Sequence, residues 1–123
     1  MKETTPPCCT SKNGNYVIAC SGGCDLGNLS DLIARKLSRE GVRKMNCLAI
    51  IGAGNNEKIN CLKKSNLLVI DGCDGDCAKK IVEKAGFQDF YYLRITDLGY
   101  KKDKTGVSIR SINSVYRIAK RLN

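Results

Sequence analysis

Residues 16–41 read YVIACSGGCDLGNLSDLIARKLSREG. Tyr16-Val-Ile-Ala-Cys20 is a short, unbroken apolar run rich in β-branched and aromatic side chains, and Ser21-Gly22-Gly23 ends it. Such a run reads as a strand covered on both faces. The period then changes. Leu29, Leu32, Ile33 and Leu37 recur at spacings of three and four, which puts them on one face of a helix. That helix is expected over Asn28–Glu40, with Asn28 or Ser30 as its cap and Gly41 as its stop. A buried strand, a glycine loop and an amphipathic helix form the first half of a βαβ unit.

The same alternation continues downstream. Cys47-Leu-Ala-Ile-Ile51 reads as strand 2, stopped by Gly52-Ala-Gly54, and Glu57–Ser65 as a short helix. Leu67–Ile70 reads as strand 3 and Asp76–Ala85 as a helix with Ala78, Ile81, Val82 and Ala85 inward. Phe90–Thr96 reads as strand 4, and Ser108–Leu122 as a closing helix. Strands alternating with helices imply a parallel sheet covered on both faces. Right-handed crossovers restrict the topology. The predicted fold is a three-layer α/β/α sandwich with a four-stranded parallel sheet in the order 2-1-3-4, a shortened flavodoxin- or Rossmann-like arrangement. Residues 1–14 hold both prolines and the pair Cys8-Cys9, and read as a flexible tail; residues 15–123 read as one domain.

The chain carries eight cysteines and no histidine. Without imidazole, Ser-His-Asp and Cys-His catalysis and histidine-ligated zinc are excluded. The polar start of the chain lacks the apolar core of a signal peptide, so the expected location is cytoplasmic, where thiols stay reduced. Abundant cysteine there points to metal binding or redox work. Cys47 and Cys61 are expected to be ordinary core residues.

Ligands of such a sheet bind beyond the carboxyl ends of the strands, at the point where strand order reverses. In the order 2-1-3-4 that point lies between strands 1 and 3. Cys20-Ser-Gly-Gly-Cys24 is the loop after strand 1, and Asp71-Gly-Cys73-Asp-Gly-Asp-Cys77 is the loop after strand 3. Two C-x3-C units therefore meet at one edge. Cys20, Cys24, Cys73 and Cys77 are the candidate metal ligands, since four thiolates complete a tetrahedral zinc site. An iron–sulfur cluster takes the same donors. Asp74 or Asp76 is expected to cap the helix that Cys77 opens. A phosphatase-type C-x5-R loop would need arginine at position 26, and the residue is Leu26. Gly52-Ala-Gly54-Asn-Asn lacks the Gly-Lys-Ser/Thr ending of a phosphate loop.

The segments CSG at 20–22, CLAIIGAG at 47–54, IDGC at 70–73, CAKK at 77–80 and TDLG at 96–99 resemble the DGC-domain family of zinc-binding proteins. The resemblance runs from about Tyr16 to Lys104. It implies zinc, and it implies Cys20, Cys47, Cys73 and Cys77 as the recurring cysteines. The fourth ligand is thus Cys24 by geometry and Cys47 by family pattern. Placing Cys47 at the start of strand 2 sets it more than about 10 Å from that strand's carboxyl end, at roughly 3.3 Å per residue, which favours Cys24.

The formal charge is +9. Most of the excess sits on expected helix surfaces, and Lys101, Lys102 and Lys104 form a basic loop after strand 4. With five Tyr, two Phe and no Trp, the sequence carries no recognisable nucleic-acid module and no membrane span. The expected partner is another protein or a small anionic ligand. Two functional readings stand side by side. One is a zinc-binding accessory or sensor module; the other is a thiol redox enzyme or sulfur carrier using Cys20 or Cys77.

Overall fold

A computed structural model describes residues 14–72, 74–102 and 107–122. Its strands are β1 (Asn15–Ala19), β2 (Lys44–Met45), β3 (Asn66–Asp71) and β4 (Tyr91–Arg94). They pair in parallel throughout, in the order β2-β1-β3-β4, as the sequence pattern predicts. The helices among the described residues are α1 (Asp25–Arg39), α2 (Leu48–Gly52), α3 (Asn56–Lys63), α4 (Cys77–Lys84) and α5 (Ile109–Lys120). A 3-10 turn, Ile95–Leu98, follows β4.

The period-2 geometry of β1 divides the core in two. Val17 and Ala19 pack with Leu29, Ile33, Val115 and Ala119 on the α1 and α5 side. Tyr16 and Ile18 pack with Leu62, Val82 and Phe87 on the α3 and α4 side. Each fully buried Leu, Ile or Val contributes about 1.5–3 kcal/mol, so a strand buried on both faces anchors both layers at once.

The structure corrects three boundaries. The run Cys47–Ile51, expected as strand 2, is the cap and body of α2, and the true strand is Lys44–Met45 immediately upstream. A short apolar run does not tell strand from helix. Here Ile51 is buried while Ala49 is exposed, so the run offers one face rather than two. An edge strand needs little, and two residues of β2 pair with Tyr16 and Val17. Helix α1 begins at Asp25, three residues before the expected Asn28. Strand β4 stops at Arg94, where Thr96 N–H turns to bond Gly72 O at 3.2 Å.

The amino edge of the sheet is tied by Arg43, which is 2% exposed. Its Nη1 donates to Tyr16 O at 3.0 Å and Asn66 O at 2.9 Å. Its Nη2 donates to Asn66 Oδ1 at 3.0 Å and Leu122 O at 2.7 Å. One guanidinium thus joins β1, β3 and the end of α5. Burial pulls its pKa below the usual arginine value. The tail at residues 1–13 and Lys104 of the basic loop lie outside the described residues.

Candidate functional site

At the carboxyl edge, the chain leaves β1 through Cys20, whose N–H bonds Ile70 O at 3.0 Å and so extends the sheet by one step. The Ser30 hydroxyl lies within hydrogen-bond reach of Cys20 O and, at 2.9 Å, of Gly27 O, and its one proton serves one carbonyl at a time. Ser30 is therefore a buried brace rather than the expected cap. Cys24 holds the N-cap position, and its Sγ accepts from Gly27 N–H at 3.4 Å. Thiols are not among the favoured caps, which is why the start of α1 is not legible.

Two glycines bring the loops together. A Cβ on Gly27 would lie 2.7 Å from Gly22 O, and one on Gly72 would lie 2.4 Å from the Leu26 carbonyl carbon. The backbone after β3 thus rests directly on the first turn of α1, and any side chain at position 72 would separate them. The chain leaving β3 at Gly72 and the start of α1 after the Cys20–Cys24 loop therefore meet at one edge.

Asp71 lies in this junction, 1% exposed. Its Oδ1 accepts from Ala78 N–H at 2.9 Å, and its Oδ2 accepts from Lys79 N–H at 3.0 Å. The last residue of β3 therefore caps α4, across the loop. Asp76 occupies the N-cap position with φ 54° and makes no capping bond of its own. The expectation that Asp74 or Asp76 caps this helix is corrected accordingly. Asp76 instead faces Arg94, with Nε–H to Oδ1 at 2.7 Å and Nη2–H to Oδ2 at 2.6 Å. This bidentate pairing holds the Asp76 carboxyl below the usual carboxylate range. Left-handed backbone is uncommon outside glycine, so the Arg94 clamp fixes an unfavourable conformation immediately before Cys77.

The Tyr92 hydroxyl lies 2.8 Å from Asp71 Oδ2 and 2.9 Å from Asp76 Oδ1. It has one proton and donates to one carboxylate at a time. Burial, reinforced by both carboxylates, pushes its pKa well above the ordinary value. Tyr92, Asp71, Asp76 and Arg94 form one network that sets the start of α4 and the position of Cys77.

The structure places the cysteines as follows. Cys20, Cys24, Cys47 and Cys77 are not disulfide-bonded. Cys20 is half-buried against the α3 and α4 side of the core, and Cys24 against the α1 and α5 side. Cys77 is exposed at the start of α4. Cys47 is exposed at the start of α2, which corrects the expectation that it is a core residue. It follows β2 by two positions, so the distance argument that set it aside fails with the misplaced strand. Helices α2 and α4 pack together, which puts the starts carrying Cys47 and Cys77 in the same layer. Cys61 is half-buried and disulfide-bonded. Cys73, Cys8 and Cys9 lie outside the described residues.

Four cysteines outside disulfides and no imidazole suit a thiophilic ion by donor chemistry. Among the described residues, no three Cys, Asp or Glu side chains converge into a group able to hold one. Nor is any helix among them long and apolar enough to cross a membrane. A family model described as the DGC domain matches residues 16–119. No curated protein and no solved structure matches the chain.

Proposed function

The chain belongs to the DGC-domain family, and from that premise we propose that it is a metal-binding module whose ligands are thiolates at the carboxyl edge of the sheet. Family membership is consistent with a metal-binding module. The observation that carries the finer reading is where the cysteines outside disulfides fall. Cys20, Cys24, Cys47 and Cys77 all fall just beyond a strand's carboxyl end or at the start of a helix leaving that edge.

Zinc is the proposed ion. Cys20, Cys73 and Cys77 are the proposed common ligands, with the fourth from Cys24 or Cys47. The position of Cys47 beyond β2, in the layer that also carries Cys20 and Cys77, supports Cys47. The bond from Gly27 N–H to Cys24 Sγ gives Cys24 a capping role that needs no metal. A closed four-thiolate zinc site contributes folding energy rather than an open catalytic position, and this supports an accessory or sensor role. The chain's own residues prepare the site: Gly72 lets the loops touch, Asp71 starts α4, and the Arg94–Asp76 pair fixes the backbone under Cys77.

One observation favours the thiol-enzyme or sulfur-carrier alternative, namely that Cys77 is exposed at a helix start. Metal analysis of reduced protein purified without added metal tests the choice. The expected result is about one zinc per chain, without colour, lost in Cys73→Ser and in Cys77→Ser. Metal-free protein with every edge thiol titrating would overturn the zinc reading, and brown protein with charge-transfer bands would replace zinc by an iron–sulfur cluster.

A further inference from the structure

A groove of about 720 Å³ opens beside β2, between α1 and the β2–α2 connection. That volume lies in the range of small-molecule sites. Its floor is apolar, formed by Ala19, Met45, Leu48 and Ala49, and its α1 wall carries Asp31, Arg35 and Arg39. Asp31 is already engaged. Its Oδ2 accepts from Arg35 Nε–H at 2.7 Å, and its Oδ1 accepts from the Ser21 hydroxyl at 2.7 Å. The Arg35 charge is therefore balanced, whereas Arg39 makes no ion pair among the described residues.

Asn46 supplies the second observation. It lines the groove and is only 8% exposed. Its backbone N–H serves the sheet, bonding Val17 O at 3.0 Å. Its side-chain Nδ2 is buried and has no hydrogen-bond partner among the described residues. A buried amide donor without a partner is costly, and native structures retain few of them without a reason. An occupant of the groove that Asn46 lines is placed to supply that partner.

We propose that this groove binds a small organic monocarboxylate with an apolar body. Arg39 pairs with the carboxylate, the Asn46 amide turns to donate to it, and the hydrocarbon part lies on Met45, Leu48 and Ala49. One cation without an ion-pair partner and one amide donor match a single negative charge, whereas the second charge of a phosphate dianion would meet Arg35, already paired with Asp31. Cys47 lines the same groove, so the occupant sits beside its side chain. This inference does not depend on the metal reading.

The test is a titration of the reduced full-length chain, as purified, with benzoate, followed by amide and side-chain NMR shifts. Benzamide and inorganic phosphate serve as comparison probes, and metal content is read separately on the same sample. Benzoate is expected to give saturable shifts at the Asn46 side-chain amide and around Leu48. Arg39→Gln should weaken binding roughly tenfold or more, the size of a lost charge-assisted bond, and Asn46→Ala roughly fivefold without loss of fold. Lys84→Gln removes an equal charge from a distant helix end and should leave binding unchanged, which separates the groove from general attraction to a basic protein. No saturable shift, equal binding of benzamide, tighter binding of phosphate, or indifference to Arg39→Gln would each overturn the proposal, whatever the metal content.

Discussion

The two edges of the sheet are built on different principles. At the amino edge a single buried residue, Arg43, satisfies acceptors from β1, β3 and the end of α5, and the described cysteines outside disulfides lie elsewhere. At the carboxyl edge, stability is spread over small devices: a glycine contact, a carboxylate reaching across a loop, and a strained Asp76 held by Arg94. The cysteines outside disulfides sit among them. One edge is a fastening and the other a platform on which side chains stay available, and the two should fail differently when broken.

Arg43→Met should produce the largest effect. It leaves carbonyls at Tyr16, Asn66 and Leu122 without their buried donor, at a cost of about 3 kcal/mol or more. Urea unfolding should show the loss, while alkylation rates at Cys47 and Cys77 stay unchanged under native conditions. If those rates rise, the edges are coupled and the contrast fails.

Gly72→Ala attacks the other edge. The added Cβ meets backbone rather than a flexible side chain, so the loops must separate, at about 2–3 kcal/mol. Here stability and thiol reactivity should move together, with Cys20 and Cys24 labelling faster than in the parent chain. A stability loss without that change would mean that the glycine contact does not organise the thiols.

Asp71→Asn is a finer probe. The amide keeps the shape but presents N–H where an acceptor is needed, and about 1–2 kcal/mol should be lost with the start of α4. Hydrogen exchange at Ala78 and Lys79 should accelerate while α1 stays protected. Uniform acceleration would show that Asp71 supports the core rather than the helix start.

Cys24→Ser should have the smallest effect. Serine is a better N-cap than cysteine, so the thermal midpoint should hold or rise slightly. Retained zinc in this variant, with zinc lost in Cys47→Ser, would assign the fourth ligand to Cys47. The reverse pattern would assign it to Cys24.

The strand order was legible because β1 and β3 are buried on both faces and α1 and α5 carry strong apolar periods. The position of β2 was not, because a two-residue edge strand leaves no pattern and the apolar run after it imitates one. The loops bearing Cys20, Cys24 and Cys77 were placed at the correct edge by topology alone. Two features had weaker signals. The capping role of Asp71 depends on a loop that returns Ala78 and Lys79 to it. The unpartnered amide of Asn46 depends on a groove that forms only once α1 and α2 are in place. Position 71 could have been suspected, as a polar residue ending a buried strand; position 46 had no sequence signature.

The account rests on the edge thiols acting together on one ion. The most direct measurement is differential alkylation of the reduced chain, mapped by mass spectrometry with and without one equivalent of zinc. Exposed Cys47 and Cys77 are the accessible reporters, and Cys77 should pass from fast to slow labelling when zinc is added and return to fast after chelation. Cys47 should follow if it supplies the fourth ligand. Labelling of Cys77 at the same rate with zinc present and absent would contradict the account.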